Sequence, residues 1–520
     1  MLKRLIPLFV ILFLFSCEKQ DKYAYEYLYR HLPFEMPKVQ PPVFPSRKVS
    51  ITQYGGVGDG VKLNTQVFAD AMADLSGKGG GTLIVPSGVW YTGPIVFQSN
   101  INLHLEKGAL ILFTPDISAY PLIETSYEGI AARRCQSPIS GRHLENIAIT
   151  GEGSINGSGE AWRPLKRDKV TERYWKQAVN SGGVLKTPDL WWPFENAAFV
   201  RPVMVSLIEC KNVLLQGVLF ENSPNWDIHP LMCENLIVDG IFARNPAYAQ
   251  NGDGIDIESC TNVIVVNSTF DVGDDAICLK SGKDVEGRRR ARATENVIVD
   301  NCKVFKGHGG FVVGSEMSGG VRNVSVTNCQ FLGTDVGLRF KSKRGRGGVV
   351  ENIYADHINM FGIITDSFLF DLYYGGKSAS ESLEDGDETP VEEMIPAVTE
   401  ETPEFRNIHV TNLVSHNARR ALFFNGLPEM NISGIRLENA CITAEFGAEL
   451  SESQDITLNN ITVIPEKGPA LLLNNVKNTQ ITNFYSPDLA TIVQITGTRN
   501  ENIQLPESIN KQQIKSFVQK

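Results

Sequence analysis

Two adjacent aspartates, Asp274 and Asp275, stand in the stretch VGDDAICLKSG, after a glycine and before a short apolar run. Two carboxylates held close together repel each other, so the pKa of at least one of them should rise. A protonated aspartic acid can donate a proton to a leaving group while an ionised partner activates water, which is the division of labour in glycoside hydrolysis. An isolated pair is more often a turn with local hydrogen bonds. The residues that the fold places beside the pair decide between the two.

The strands that must position the pair can be aligned, because five short segments of the chain resemble one another. They read NWDIHP, GDGIDIES, DDAICLKS, GHGGFVVGS and DVGLRFKS. If each lies on one coil of a solenoid, residues in the same column are one coil apart in space. The alignment matches one inward-facing position per segment, namely Ile228, Ile255, Ile277, Val312 and Leu338.

In this register three carboxylates and an imidazole come together on the outer side of successive coils. Asp253 and Asp275 share a column two residues before the inward position, and Asp274 lies one residue further back. His308 falls four residues before the inward position of the next coil. Such convergence of residues that are distant in sequence is what a polar catalytic site requires. We therefore predict Asp253, Asp274, Asp275 and His308 as catalytic residues.

The same columns bring cations and rings to this stripe. Arg339 and Lys341 follow their inward position by one and three residues, so the alternation of side chains along a strand places both outside the core. His229 occupies the column of Arg339, and Lys280 occupies that of Lys341. Trp226 lies just before His229. We predict that these five residues contact a substrate, and that the cations neutralise an acidic sugar.

The repeat extends over most of the chain and predicts its fold. Segments such as NVLLQGVLFENSP, NLIVDGIFARNP, NVIVVNSTFDVG and NVSVTNCQFLGT mostly start about 23 to 34 residues apart, which is the period of a solenoid. Their short β-branched runs lack helical periodicity. The fold class is therefore all-β, a parallel β-helix with one strand-rich unit per coil. A short N-terminal cap containing one helix, Thr65 to Leu75, should cover the open end.

The N-terminus reads MLKRLIPLFVILFLFSCEKQ and predicts export. A short basic region precedes an apolar run of signal-peptide length that ends at Cys17, in a pattern that resembles a bacterial lipobox. An ordinary secretory signal or an uncleaved anchor would be the alternative. We expect lipidation of Cys17 and an envelope lipoprotein, periplasmic or at the cell surface, with no other membrane contact. The predicted parts are a signal peptide at 1–17, a polar tether at 18–46, the β-helix at 47–505 with an acidic inserted loop at 375–403, and a tail at 506–520.

Composition limits the possible partners. The formal net charge is −10, which disfavours a nucleic-acid-binding protein, and an anionic ligand must be held by local cations. Nine cysteines leave disulfides or buried thiols open. No metal-type CxxC pair is present in the sequence, and we expect neither a metal nor another cofactor. The oligomeric state does not follow from the sequence.

Four tripeptides in order along successive coils resemble the motifs of glycoside hydrolase family 28, the polygalacturonase family. They are Asn251-Gly252-Asp253, Gly273-Asp274-Asp275, Gly307-His308-Gly309 and Arg339-Phe340-Lys341. The first departs from the family's Asn-Thr-Asp by a glycine, and the last has Phe in place of Ile. The resemblance covers about Val49 through at least Asn359. It implies a right-handed parallel β-helix and a pectin-degrading hydrolase.

The resemblance also implies a role for each motif residue. Asp274 would be the general acid, Asp253 and Asp275 would hold and deprotonate the attacking water, and His308 would tune the acid by hydrogen bonding. Family members invert the anomeric centre. Segments near Ser281 and Val312 are similar to those of exo-acting bacterial members, so we favour exo action on pectic poly- or oligosaccharides, without deciding between homogalacturonan and rhamnogalacturonan.

Two other functions would suit a β-helix. A pectate lyase would use acidic residues to hold calcium, and the aspartates could do so, although His308 and the Arg339/Lys341 pair fit the hydrolase better. A non-catalytic glycan-binding solenoid on the cell surface would not need the three aspartates.

Overall fold

The computed structural model describes residues 24–376, 395–487 and 489–517. Strands of successive coils pair in parallel along the chain, which confirms the prediction of a right-handed parallel β-helix. Three ladders of strands run along it, and we name them sheets A, B and C. Apolar side chains of all three form one cluster from the cap to the last coils.

Sheet A carries the predicted site. Its strands are Ile95–Val96, Ile139–Arg142, Val205–Ile208, Ile228–Leu231, Ile255–Glu258, Asp275–Lys280, Gly309–Gly314, Val336–Lys341 and Asp366–Asp371. Sheet B consists of Lys48–Ser50, Gly81–Val85, Ile101–Leu105, Glu145–Gly151, Lys211–Gln216, Glu234–Asp239, Thr261–Val266, Thr294–Asp300 and Val321–Thr327. Sheet C precedes sheet A on each coil and consists of Gly88–Thr92, Ala109–Phe113, Ser154–Asn156, Leu219–Glu221, Phe242–Arg244, Thr269–Asp271, Lys303–Lys306 and Gln330–Leu332.

The C-terminal coils bend from one sheet to the next without a break in strand. Val349–Phe361 joins sheets B and C, while Glu404–Asn425 and Ile432–Tyr485 run through all three. The last strands are Val493–Thr496, Glu501–Gln504 and Ile514–Phe517. Because Ile514–Phe517 pairs with Val493–Thr496, the described part of the predicted tail closes sheet A, and the boundary at residue 505 is wrong.

The predicted cap helix is present as Thr65–Gly77. Its residues Phe68, Ala71, Met72 and Leu75 are spaced by three and four, and they bury one face in the end of the core. The other helices, Glu172–Asn180, Ala197–Val200 and Asp284–Arg290, lie in insertions. Short 3-10 turns occur at Glu26–Tyr29, Ile51–Tyr54, Ile117–Ala119, Gly159–Ala161, Arg167–Lys169 and Lys511–Gln513. No helix within the described ranges is long and apolar enough to cross a membrane.

The asparagine that begins each repeat has a structural cause. Asn212, Asn235 and Asn262 adopt φ values of 55°, 58° and 60°, a left-handed turn that asparagine tolerates better than most residues. The Asn235 side chain donates to Asn212 at 3.1 Å, and Asn262 donates to Asn235 at 3.2 Å. This ladder satisfies the buried amides and keeps the coils in register. Within the described residues the cysteines are free thiols, and Cys210, Cys233 and Cys260 are stacked inside the core.

Residues 24–46, predicted as part of a polar tether, instead pack along the outer face of sheet B. Tyr25 and Val39 are buried against Leu214 and Ile237, and the Tyr25 hydroxyl donates to Asp239 at 3.0 Å. The prediction of a tether is wrong for these residues, because the aromatic side chains among the prolines match an apolar stripe on the sheet. Cys17 and the predicted signal peptide lie outside the described residues, as do residues 377–394 of the acidic loop.

Candidate active site

The predicted register holds on four of the five aligned strands and is shifted by one residue on the remaining one, Gly309–Gly314. Ile255 pairs with Ile277, but Ile277 pairs with Phe311, so Val312 is not the inward residue of its coil. Phe311 and Val313 face the core, and Val312 is aligned with Arg339 on the outer side. His308 is therefore three residues before the inward position rather than four. This places it directly over Asp274, whose carbonyl accepts the His308 N–H at 2.8 Å.

Asp274 lies in the turn between sheets C and A, and three donors hold it there. The main-chain N–H groups of Asn251 and Asp275 donate to its two oxygens at 3.2 and 3.1 Å. His308 Nδ1 lies 3.0 Å from Asp274 Oδ1. The hydrogen bond with Asp274 raises the pKa of His308, against the opposing effect of burial. Because its side chain is 18% exposed, Asp274 is open to the groove as a proton donor must be.

Asp253 and Asp275 lie behind Asp274, and each of the three has an oxygen within 4.8 Å of the others. Strict alternation would turn Asp275 toward the core with Ile277. Instead Ala276 and Ile277 both enter the core, so alternation is broken between them and Asp275 lies on the outer side. The three carboxylates that the sequence predicted together are thus brought together.

The two rear carboxylates have opposite electrostatic environments. Burial, reinforced by the neighbouring Asp256 and Asp274, raises the pKa of Asp253 well above its usual value. Burial also opposes ionisation of Asp275, but Lys341 and Arg339 outweigh it and lower the pKa of Asp275 below its usual range. Asp275 is therefore the fixed anion of the site, while Asp253 can take up a proton.

Arg339 and Lys341 lie on one strand, two coils beyond Asp275, and both bind its carboxylate. Arg339 Nη1 donates to Asp275 Oδ1 at 3.0 Å, and Lys341 Nζ donates to Asp275 Oδ2 at 2.7 Å. The Tyr374 ring lies beside both cations, with its centroid 5.0 Å from Lys341 Nζ. A cluster of three carboxylates could hold a divalent ion. With both oxygens of Asp275 bound to cations, these residues fit such an ion poorly.

His229, Trp226 and Lys280 are buried behind the groove and do not line its surface. His229 Nε2 lies 2.8 Å from Glu258, and Lys280 Nζ donates to Glu316 at 2.9 Å. Trp226 packs between them, with ring centroids 5.1 Å from His229 and 5.0 Å from Lys280 Nζ. Their predicted contact with substrate stays a prediction. In this structure, His229 and Lys280 contact the buried carboxylates of Glu258 and Glu316.

Sequence reasoning missed three buried carboxylates in this rear layer. Asp256 and Glu258 occupy the alignment columns of Arg339 and Lys341, so the columns could have revealed them. Glu316 lies in the turn after Gly309–Gly314, where the repeat gives no register. Burial opposes its ionisation, but Lys280 outweighs burial and lowers the pKa of Glu316 to about 2.

A hairpin and a helix cover the outer side of the coils beside the aspartates. The antiparallel strands Leu122–Tyr127 and Ile130–Cys135 form the hairpin, and its Tyr127 ring packs on Trp226 with centroids 4.8 Å apart. The helix Asp284–Arg290 is docked against it, because Glu286 accepts from the Ala131 N–H at 3.0 Å. We call this pair the wall.

Comparisons with known proteins agree with the fold and the site. The model of glycosyl hydrolases family 28 matches residues 117–385. A probable polygalacturonase from Vitis vinifera is 28% identical over 85% of this chain and 84% of its own length. The exo-poly-alpha-D-galacturonosidase of Dickeya chrysanthemi is 26% identical over 64% of this chain and 58% of its own length. The exopolygalacturonase structure from Thermotoga maritima has 32% identity and a TM-score of 0.67, covering 82% of this chain and 93% of its own.

The parallel β-helix, the half-buried Asp274 over two buried carboxylates and the match to the family model together indicate an O-glycosyl hydrolase. The family model matches more than half of the chain, and the Thermotoga maritima structure shares 32% identity over most of both chains. The chain belongs to glycosyl hydrolase family 28.

Proposed function

We propose that the protein hydrolyses glycosidic bonds of galacturonic acid in pectic poly- or oligosaccharides. The observation that carries this proposal is Asp274, held at the groove by two main-chain N–H groups and His308, over a carboxylate pair that two cations flank. The names of the relatives support the galacturonan substrate. Arg339, which has an unpartnered Nε among the described residues, and the adjacent Lys341 are the cations for a uronate carboxylate.

The residues divide the reaction between them. Asp274 gives its proton to the glycosidic oxygen as the bond to the anomeric carbon breaks. Asp275, kept ionised by Lys341 and Arg339, holds a water molecule whose oxygen bonds the anomeric carbon, and Asp253 receives the proton that this water loses, since the pKa of Asp253 is raised. His308, whose pKa is raised by its hydrogen bond with Asp274, orients the Asp274 carboxyl.

We propose inversion at the anomeric carbon. The nearest oxygens of the aspartates lie within 4.8 Å, which is closer than the carboxyl separation of about 6.5–9.5 Å usual for inverting enzymes. We attribute the shorter separation to the sharing of one water molecule by Asp253 and Asp275, where the usual arrangement has a single base across a wide gap from the acid. Proton NMR of the first product would give the opposite anomer to the substrate bond, and the same anomer would contradict inversion.

We propose that cleavage is exo. The hairpin of the wall packs on Trp226, and we infer that it closes this side of the groove, so that a chain enters from the C-terminal coils. The names of the Dickeya chrysanthemi and Thermotoga maritima relatives support the same conclusion. Product sizing on polygalacturonate and rhamnogalacturonan should show a single small product from the first time points, while a falling ladder of oligomers would indicate endo action.

The same digestion separates hydrolysis from the other two functions. A lyase would release products that absorb in the ultraviolet and would lose activity with a chelator. A binding protein would release no reducing sugar. We expect reducing ends without ultraviolet absorption, unchanged by chelator.

We propose further that the enzyme is exported and anchored through a lipid on Cys17, as the N-terminal sequence indicates. Labelling with a radioactive or clickable fatty acid in wild type, and its loss in Cys17→Ser, would test this. Label retained in the variant would contradict it.

A further inference from the structure

The outer face of sheet C carries a column of two exposed phenylalanines, a half-buried leucine and an exposed histidine beside the catalytic turn. It consists of Phe305, Leu332, Phe361 and His416 on four successive coils: Leu332 pairs with Phe361, and Phe361 with His416. Phe305 and Phe361 are 44% and 55% exposed. The Phe361 and His416 rings are stacked, with centroids 5.7 Å apart and planes 27° apart.

A second column two residues earlier on each coil is polar. Lys303 pairs with Gln330, and Gln330 with Asn359, and all three side chains are exposed. No ion pair joins Lys303 or Lys306 to a carboxylate within the described residues. We call the two columns together the lip strip. It offers flat apolar faces next to amide and ammonium donors, in a protein whose net charge is −10.

The position of the lip strip relates it to the active site. It begins with Phe305, three residues before His308, and extends over coils spaced by about 4.8 Å in the direction away from the wall. On the preceding coil Phe270 pairs with Val304 and Asp271 with Lys306, so Phe305 has no paired residue on that strand. Beyond His416 the column continues with Thr443, whose hydroxyl lies 3.0 Å from His416 Nδ1. The column therefore lies on the coils that follow the catalytic turn.

We propose that the lip strip binds the distal part of an acidic polysaccharide chain whose end occupies the active site. This inference rests on the proposed function and adds a second carbohydrate-binding surface to it. The C–H face of a pyranose packs on the negative face of an aromatic ring, Lys303 and Lys306 attract the uronates, and the amides bind hydroxyls. Apolar faces with a few convergent polar groups are typical of carbohydrate and other ligand sites.

The test compares a polymer with a short substrate. In Phe305→Ala/Phe361→Ala, KM for polygalacturonate should rise roughly five- to tenfold, while kcat/KM for trigalacturonate stays unchanged. Phe517→Ala is the matched control, because Phe517 is 51% exposed on the last strand, away from the strip. The same changes in an Asp274→Asn background, which stops turnover, should reduce sedimentation with insoluble polygalacturonate.

The outcomes separate the strip from the proposed activity. If the double variant lowered kcat/KM equally for polygalacturonate and trigalacturonate, or left KM for polygalacturonate unchanged, the proposed role of the lip strip would be overturned. A wild-type protein that binds the polymer through Phe305 and Phe361 without cleaving it would support the strip and contradict the activity. No binding and no cleavage would overturn both. A dimer that the double variant converts to a monomer would show an interface between copies and would also overturn the strip.

Discussion

The coils that carry the site and the C-terminal coils share one backbone plan but differ in what covers their outer side. In Asp275–Lys280 and Gly309–Gly314 every residue is buried, whereas buried and exposed residues are interspersed along Ile432–Tyr485. Insertions such as the wall cover the outer face of sheet A near the aspartates. On the C-terminal coils, the sheet A residues Phe446, Glu449 and Leu472 stay exposed or half-buried. Covering, rather than a different strand geometry, takes the charges of the site out of water.

The charged groups of the two regions differ accordingly. Lys341 and Asp275 form a buried pair, while Arg420 bonds Asp366 and Glu449 at 2.7 and 2.8 Å and stays partly exposed. An exposed ion pair contributes little, and a buried one strongly affects the pKa of its partners. The comparison shows that one column holds a partly exposed arginine paired with Asp366 in one coil and the anion Asp275 in another.

The largest effect is expected for Asp274→Asn. Asparagine can keep the main-chain hydrogen bond to one of the two oxygens but has no acidic proton to give, so kcat should fall by about 10²–10⁴-fold or more. Reducing-sugar release on polygalacturonate measures it, and circular dichroism should show an unchanged fold. Retention of more than a tenth of the activity would assign the proton to another group.

Next in size is Lys341→Met, with Arg420→Met as the partner from the C-terminal coils. Loss of Lys341 leaves Asp275 with Arg339 alone, so the pKa of Asp275 rises and kcat/KM should fall roughly 10²–10³-fold. The acid limb of the pH–rate profile should move to higher pH. Arg420→Met should stay within about twofold, as partly exposed positions usually do. An equal loss of kcat/KM in Lys341→Met and Arg420→Met would contradict the difference between the two regions.

Asp253→Asn should stabilise the protein while it abolishes activity. The pKa of Asp253 is raised on folding, so the folded state costs free energy at any pH above the unfolded pKa and none below it. The Tm of the variant should therefore exceed that of wild type near pH 7, and the difference should vanish toward pH 3. Glu445→Gln, an exposed carboxylate of the C-terminal coils, should show no such trend, and a flat difference for Asp253→Asn would contradict the raised pKa.

The smallest effect is expected for Lys467→Met. Its ammonium bonds Glu445 at 2.7 Å with both side chains exposed, and such a pair contributes less than about 1 kcal/mol to the free energy of unfolding. Denaturant unfolding at low and high salt measures it. A larger loss would mean that the C-terminal coils also depend on their outer charges.

Sequence periodicity was sufficient to predict the solenoid and to bring Asp253, Asp274, Asp275 and His308 together, because each coil repeats the same columns. It failed where local geometry departs from the repeat. The segment GHGGFVVGS has two apolar candidates for the inward position, and only packing selects Phe311 over Val312.

Burial on the outer side could not be predicted, since it comes from segments distant in sequence. The hairpin Leu122–Cys135 and the turn with Glu316 lie outside the aligned columns, yet they decide that Lys280 and His229 are enclosed. The same limit applies to residues 24–46, whose contacts with sheet B depend on an apolar stripe formed by four different coils.

The packing of the N-terminal segment on sheet B limits the reach of the enzyme. Tyr25 is already fixed to the β-helix, so only eight peptide units separate it from Cys17, and a chain of that length spans less than about 30 Å. If Cys17 carries a lipid, Tyr25 and the part of the β-helix that it packs on stay within about 30 Å of the anchored cysteine. The enzyme's products would then be released close to the membrane.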